Sequence, residues 1–410
     1  MAEKRNILPG VLMIILSALG VLFGLASAGF SAAGLLWAGI NGTPSGFDLP
    51  VLSSMLLSLT IGLLNIPALA LFIRKAAGKA GANKAAPLFK PATIALAGWA
   101  AILAAGYFIS RNASVQIWLA PLTIAAIILP VWWLIEFFRR GFPRSTRTRE
   151  WGTLMIGLIA SPTLIIIAEI VFILVLILGV AVALGTGVFG DLQLSSLIEN
   201  ANLIEGGIEQ LEEVLYEIMQ QPVIAAAAFV MIGLAAPLIE EVFKPMSTWF
   251  LLKRPLTLHE GYALGLISGG AFAILESAGI VIQMDAVDWL TAVALRAATG
   301  VLHIGLSGIV GYGFARSAQE KRARPAVLAL LTAVVLHGGW NSLALLSGLS
   351  SFNLPSGIGT TSVIAFIFMG LVFVSIITIN ILIRRRIKQE LDAENTGEEI
   401  GEANPDAARI

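Results

Sequence analysis

Ten long apolar runs, separated by short polar segments, dominate the pattern of hydrophobic and polar positions along the chain. Each run is close to the roughly 20 apolar residues that an α-helix needs to cross the hydrocarbon core of a bilayer. The pattern therefore predicts an all-α fold, a polytopic transmembrane bundle of about ten helices. The predicted spans are residues 8–30, 50–73, 92–110, 113–138, 154–184, 222–250, 260–282, 289–315, 325–348 and 358–383.

Lys and Arg residues cluster in alternate loops between these spans. The clusters lie before the first span and after spans two, four, six, eight and ten, whereas the opposite loops hold few basic residues, with Arg111 as the main exception. Since cytoplasmic loops are enriched in Lys and Arg, this alternation predicts that both termini are cytoplasmic.

Two polar segments are expected to lie outside the bilayer. Residues 191–221, between spans five and six, carry many acidic residues and no Lys or Arg, and their apolar residues recur near helical spacing. We expect an extracytoplasmic amphipathic helix there. Residues 387–410 are polar, mostly acidic and poor in apolar residues, which predicts a disordered cytoplasmic tail.

Composition supports a membrane protein and excludes several functions. Only 13% of the residues are charged, against about 25% in soluble proteins, and the mean hydropathy is +0.87. The absence of cysteine excludes disulfides, thiolate nucleophiles and cysteine metal sites. No long basic patch with interleaved aromatic residues is present in the sequence, so nucleic acid is not expected as a partner.

Four consecutive predicted helices, spans six to nine, carry ionisable or strongly polar side chains in their apolar interiors. Such groups are costly within a bilayer and are therefore default candidates for a functional site. With a rise of 1.5 Å per residue, the acidic and imidazole positions lie roughly 20–25 Å from the cytoplasmic ends of their helices, in one layer near the bilayer middle. We therefore expect one shared buried site. Its candidate residues are Glu240, Glu241 and Lys244 in span six, Glu276 in span seven, Arg296 and His303 in span eight, and His337 and Asn341 in span nine.

Glycine repeats favour a close approach of these helices. Gly261, Gly265 and Gly269 recur every four residues in span seven, and glycines also crowd span eight. Small residues let membrane helices pack backbone against backbone. The pattern is explained by ordinary helix packing, and the same packing would also bring polar side chains of neighbouring helices together.

The adjacent Glu240 and Glu241 indicate acid–base chemistry. Two neighbouring carboxyl groups in a low-dielectric site cannot both be comfortably ionised. Lys244 follows Glu240 by four residues, in the favourable order for a helical ion pair, and can stabilise one carboxylate. The other carboxyl group is then suited to general base catalysis. A purely structural Glu–Lys pair is the alternative, and two histidines at the same depth favour the catalytic interpretation.

His303 and His337 are the two histidines within the predicted bilayer core. With nearby carboxylates such as Glu276 they can form a site for Zn²⁺ or another divalent metal, and they can equally form a metal-free acid–base site. Asn341 lies one helical turn after His337 and can orient its imidazole or donate to an oxyanion. Arg296 is expected to be a structural partner of a carboxylate or a carbonyl group. These parts indicate activation of water and hydrolysis of amide bonds within the membrane.

Four motifs on successive helices resemble those of the PrsW family of intramembrane proteases. They are Glu240-Glu241-Val242-Phe243-Lys244, Phe272-Ala273-Ile274-Leu275-Glu276, His303 within residues 296–313, and His337-Gly338-Gly339-Trp340-Asn341. The resemblance covers residues 222–348 and implies catalytic roles for both adjacent glutamates, Glu276 and the two histidines. Lys244 and Glu276 distinguish the chain from the CAAX prenyl protease and bacteriocin-processing family, which is distantly similar. Asn341 stands where many PrsW members have Asp.

The resemblance implies an endopeptidase that cleaves membrane-associated proteins, among them signalling regulators, in the cell membrane of a prokaryote. It leaves open whether the site uses zinc, another divalent metal or no metal, and the oligomeric state is not indicated. The expected regions are an N-terminal five-helix membrane region (1–190), the acidic outer segment (191–221), a four-helix catalytic core (222–348), the last transmembrane helix (349–386) and the tail (387–410).

Two other functions fit buried polar residues in a membrane protein. An ion-coupled secondary transporter also clusters ionisable residues at the bilayer midplane, but such carriers usually show repeats with broken helices in both halves. Here the polar residues lie in one half of the chain, and no repeat is visible in the sequence. A non-catalytic membrane scaffold, in which these residues only lock helices together, is the third hypothesis.

Overall fold

The computed structural model describes residues 8–41, 49–79, 84–185, 222–249, 256–351 and 360–396. Almost all of these residues are helical, and no β-strand is formed within the described ranges. Ten helices in this part of the chain are long and apolar enough to cross a membrane. The prediction of an all-α, polytopic transmembrane fold is therefore confirmed, and the chain is a multi-pass integral membrane protein.

The helices follow the predicted spans, with several interruptions inside them. They are α1 (Leu8–Ile40), α2 (Leu49–Ala76), α3 (Phe89–Ala97), α4 (Trp99–Ser110), α5 (Leu119–Phe138), α6 (Arg147–Met155), α7 (Ser161–Gly185), α8 (Pro222–Val230), α9 (Ala236–Phe243), α10 (Met246–Trp249), α11 (Leu258–Val281), α12 (Trp289–Glu320), α13 (Arg324–Ser351) and α14 (Thr360–Thr396). Short π-helical turns join α6 to α7 and α8 to α9, at Ile156–Ala160 and Met231–Ala235.

Local chemistry explains where two helices at the site begin and end. Thr257 is the N-cap of α11, and its hydroxyl accepts a hydrogen bond from the backbone N–H of Glu260 at 3.3 Å. The predicted span 222–250 is not one helix, because α9 ends at Phe243. Pro245 explains this end, since a proline disfavours helical geometry at the residue before it.

The chain forms two compact units. Unit 1 contains the described residues of Met1–Pro162, Lys244–Leu330 and Ser375–Ile410, and unit 2 contains those of Thr163–Phe243 and Leu331–Val374. The region 222–348, which the sequence marks as the catalytic core, therefore contributes residues to both units.

The centre of unit 1 is the helix pair α11 and α12. Both helices are largely buried, and glycines lie where their backbones meet. A Cβ atom on Gly265 would collide with the carbonyl oxygen of Ser307, and one on Gly261 would collide with that of Gly311. The glycine repeats thus permit the close backbone contact that the sequence predicts.

A buried ionic cluster joins α5, α6 and α11 within unit 1. Glu136 is fully buried and accepts hydrogen bonds from the guanidinium groups of Arg139 and Arg144. Arg149 of α6 pairs with Glu260 of α11 at 2.7 Å. A buried carboxylate is tolerated only where cations and hydrogen bonds compensate its lost hydration, so these arginines hold the ends of three helices together.

Close backbone packing also shapes unit 2. Gly338 of α13 lies against the π turn that precedes α9, and a Cβ atom there would collide with the carbonyl oxygen of Gly233. The absence of a side chain at Gly338 therefore lets α13 approach the segment that leads into the acidic doublet Glu240–Glu241.

Several sequence predictions reach beyond the described residues. The acidic segment 191–221 lies outside them, as do residues 397–410 of the predicted tail. The last helix extends to Thr396, and Arg386 pairs with Glu390 at 2.9 Å on this extension, which supports helical structure at the start of the tail. The cytoplasmic location of both termini stays a prediction.

Candidate active site

Two carboxyl groups of unit 2 face the two ring nitrogens of one histidine. His337 Nδ1 lies 2.9 Å from Glu241 Oε1, and its Nε2 lies 3.9 Å from Glu240 Oε2. Glu241 is fully buried, and Glu240 and His337 are 7% and 1% exposed. His337 Nδ1 and Glu241 Oε1 are therefore within hydrogen-bond distance, whereas Glu240 is too far from Nε2 for a direct hydrogen bond. We call these three residues the His337 cluster.

The His337 cluster fits a divalent metal ion. Each of its three side chains offers one ligand atom, and these atoms lie within 4.8 Å of one another. Catalytic zinc sites use three protein ligands, often His and Glu, and keep a fourth position open. Carboxylate oxygens also suit manganese, and imidazole also suits iron. The donor set therefore supports a metal site without selecting one metal.

Helices α9 and α13 position this cluster. The acidic doublet lies on α9, which begins directly after the π turn, and His337 lies near the middle of α13. Asn341, one turn further along α13, donates its Nδ2–H to the carbonyl oxygen of Ile232 in the π turn, at 3.2 Å. The sequence predicts that this amide orients the imidazole or serves an oxyanion, and that role stays a prediction.

A second group of polar side chains, which we call the His303 cluster, lies within unit 1 and consists of Lys244, Glu276, Arg296 and His303. His303 Nδ1 lies 2.8 Å from Lys244 Nζ, and its Nε2 lies 2.5 Å from Glu276 Oε2. Arg296 Nη2 donates to the same Glu276 oxygen at 2.5 Å, and its Nε donates to Ser277 Oγ at 3.3 Å. Glu276 thus contacts two basic side chains, and the prediction that Arg296 partners a carboxylate is confirmed.

Lys244 is fully buried and is the first residue after α9. Ser268 donates a hydrogen bond to its carbonyl oxygen, and its ammonium group lies 4.4 Å from the centroid of the Phe272 ring. The same ring meets His303 edge-on, with 5.2 Å between the ring centroids. The sequence predicts that Lys244 stabilises the Glu240 carboxylate from the same helix; α9 ends at Phe243, and this pairing stays a prediction.

The predicted common depth assumes that each helix is continuous from its basic end to its polar residue. Three of the four helices meet this condition. Helices α11, α12 and α13 run without interruption from the ends that the sequence predicts to be cytoplasmic to Glu276, His303 and His337. Glu241 differs, because α9 ends before the basic residues that anchor it, and residues 250–255 lie outside the described part of the chain. The predicted pocket shared by all four helices would contain residues of both units, and it stays a prediction.

Sequence alone does not identify one backbone group near the acidic doublet, the carbonyl oxygen of Ile232, which accepts a hydrogen bond from Asn341. Ile232 contributes a carbonyl oxygen rather than a side chain, so its residue type carries no functional signal. Pro237, four residues before Glu241 within an apolar run, is the one available sign of an irregular helix.

A family model described as PrsW family intramembrane metalloprotease matches residues 168–378, just over half of the chain. The matched region contains every residue of the His337 and His303 clusters. No curated protein and no solved structure gives a significant match. The family match favours the protease over the carrier and the scaffold.

Proposed function

Since the chain belongs to the PrsW family of intramembrane metalloproteases and is therefore a protease embedded in the membrane, we propose that it hydrolyses peptide bonds at the His337 cluster. The observation that carries this proposal is the buried arrangement of His337 between the carboxyl groups of Glu240 and Glu241. Such a group can hold a divalent ion and can also exchange protons, and peptide hydrolysis by a metalloprotease requires both.

The two glutamates have different roles in this proposal. The Glu241 carboxylate holds the Nδ1–H of His337, which leaves the lone pair on Nε2, and carboxylates behind metal-binding histidines commonly act in this way. The 3.9 Å between Nε2 and Glu240 Oε2 leaves space for an ion or a water molecule between them. We therefore assign ligation to His337 Nε2 and to one oxygen of each glutamate. The second oxygen of Glu240 transfers protons, and the second oxygen of Glu241 orients the imidazole.

In peptide hydrolysis the metal ion and the side chains would have different roles. A divalent ion held by this cluster would supply Lewis-acid polarisation and activation of water near neutral pH. The Glu240 carboxylate accepts the proton that water releases on attacking the peptide carbonyl, and it returns this proton to the leaving amide nitrogen. Burial of the cluster excludes bulk water and strengthens its electrostatic interactions.

We propose that the His303 cluster stabilises charge and transfers protons in the same reaction. Both ring nitrogens of His303 contact neighbours, Lys244 and Glu276, so ligation by His303 would require it to give up one of these contacts. Glu276 contacts both His303 and Arg296, which supports a role in holding His303 in its orientation. The shared reaction rests on the order of the four motifs along the chain.

Substrates are proposed to be membrane-associated proteins, including signalling regulators, whose scissile bonds lie at the bilayer. Co-expression of candidate single-pass membrane proteins with the wild-type enzyme, with Glu240→Gln and with His337→Ala tests this, with fragments mapped by mass spectrometry. Each substitution should lower cleavage by roughly 100-fold or more, since it removes a general base or a ligand.

The matched control is His259→Ala. The chain has three histidines, and His259 lies in neither cluster, so its removal tests whether loss of any imidazole has the same effect. Identical fragments from the wild type and from the Glu240 and His337 variants would refute the proposed site.

A further inference from the structure

An irregular turn of backbone lies just over one helical turn before the acidic doublet. In the turn Met231–Ala235 the N–H of Ala236 donates to the carbonyl oxygen of Met231, five residues earlier, so the helix contains one extra residue in this turn. The next residue, Pro237, has no N–H to donate. The carbonyl oxygen of Ile232 therefore loses the backbone donors that a regular helix would offer it.

The side chain of Asn341 replaces this missing donor. Its Nδ2 lies 3.2 Å from the Ile232 oxygen and donates to it from the neighbouring helix α13. Asn341 and His337 are one turn apart on α13, and Pro237 and Glu241 are one turn apart on α9. The hydrogen bond thus joins α13 to the π turn before α9, one turn along α13 from His337.

Close packing keeps the two helices in register at this point. A Cβ atom on Gly338 would collide with the carbonyl oxygen of Gly233, and a Cβ atom on Gly233 would collide with the hydroxyl of Ser342. The π turn therefore packs against α13 on both sides of Asn341, against the backbone at Gly338 and against the side chain at Ser342. A carbonyl left without a donor at such a contact would cost free energy, because a helix in a membrane must satisfy its own polar groups.

The extra residue in the turn decides which side of α9 faces α13. One residue corresponds to about 100° of rotation around a helix axis. A regular helix through residues 231–236 would turn the acidic doublet by that angle relative to α8. The contact of both carboxyl groups with His337 therefore depends on the π turn being kept.

We infer that Asn341 is a positioning residue, which satisfies the carbonyl exposed by Pro237 and so holds α9 in the rotation that presents Glu240 and Glu241 to His337. The measurements of activity and of Zn²⁺ binding that test this inference rest on the proposed function, and the distance measurement does not. It gives Asn341 a role on the backbone, in place of a direct role on the substrate oxyanion.

A distance measurement tests the inference without reference to activity or metal. The chain has no cysteine, so nitroxide labels at Leu238→Cys and Leu346→Cys would be the only labels present. These side chains are 45% and 38% exposed, and they report on α9 and α13 of unit 2. We expect Asn341→Ala to shift or broaden the electron–electron distance distribution in nanodiscs. An unchanged distribution would overturn the inference.

A second variant separates positioning from a direct catalytic role. Pro237→Ala restores a backbone N–H before the doublet, so it should reduce the effect of Asn341→Ala when the two are combined. We expect Asn341→Ala to weaken Zn²⁺ binding roughly fivefold to tenfold, as for the loss of one hydrogen bond, and the double variant to recover most of this loss. An oxyanion donor would instead lower kcat with unchanged Zn²⁺ affinity, and its loss would add to that of Pro237→Ala without recovery.

Folding of the single variant is not required for a decision. If Asn341→Ala does not fold, recovery of a folded protein by the added Pro237→Ala supports the inference, and failure to recover overturns it. If Zn²⁺ does not bind the wild type at all, the proposed metal site fails, while the label distances still decide the role of Asn341.

Discussion

The two histidine clusters differ in the groups that meet the imidazole. In unit 2, both ring nitrogens of His337 face carboxyl groups, at 2.9 and 3.9 Å. In unit 1, one nitrogen of His303 faces the ammonium group of Lys244 and the other faces Glu276, which also binds Arg296. Sequence alone treats the two histidines as equivalent, since each is a buried imidazole on a membrane helix.

Because of this difference, the two clusters are suited to different chemical tasks. An oxygen-rich set with one imidazole suits a metal ion, whereas alternating basic and acidic groups form a charged hydrogen-bond network. We therefore expect changes in the His337 cluster to alter metal binding first and changes in the His303 cluster to alter turnover first. The predictions below test this separation.

The largest effect is expected for metal binding by the His337 cluster. His337→Ala should weaken Zn²⁺ binding by roughly 100-fold or more, because it removes the one nitrogen ligand of the set. His303→Ala should retain binding to within about threefold. Equilibrium dialysis of the purified proteins in nanodiscs measures both, and the separation fails if the His303 variant loses the metal while the His337 variant keeps it.

A slightly smaller effect is expected for turnover when Glu276 loses its charge. Glu276→Gln keeps the shape of the side chain but weakens its contacts to His303 and Arg296, so cleavage should fall by about 30- to 100-fold. Zn²⁺ affinity should change by less than about threefold. Equal losses in both measurements would show that Glu276 is itself a ligand, as the sequence suggests.

Next in size is the effect of Glu241 on the orientation of His337. Glu241→Gln replaces a charged acceptor by a neutral one, and loss of such a supporting group typically costs 10- to 100-fold in metal affinity, so we expect about 10- to 30-fold. Glu169→Gln, a carboxyl change on α7 in the same unit, is the control. A Glu241 variant with wild-type Zn²⁺ affinity and no cleavage would assign the general base to Glu241 instead of Glu240.

Much of this arrangement can be predicted from the sequence, because it follows from residue type and spacing. Membrane spans are visible as apolar runs, and the polar residues of both clusters are visible as charge within those runs. Their division into two groups is not visible, since the sequence predicts a single site for all of them. The break after Phe243 is less visible, since Pro245 lies within a stretch long enough to be taken as one membrane span, 222–250. The partner of Asn341 is not visible at all, because a pattern of side chains does not show which backbone carbonyl lacks a donor.

The smallest effect is expected at Arg296, where charge and geometry can be separated. Arg296 makes two contacts with one planar group, to Glu276 at 2.5 Å and to Ser277 at 3.3 Å. Lysine keeps the charge but cannot make both contacts, so Arg296→Lys should lower cleavage by only about threefold to fivefold, whereas Arg296→Gln should lower it by about tenfold or more. Zn²⁺ binding should be unaffected in both variants, as measured by dialysis beside the cleavage assay. Equal losses for Lys and Gln would mean that the forked geometry of the guanidinium matters more than its charge, and no loss in either would remove Arg296 from the His303 cluster's function.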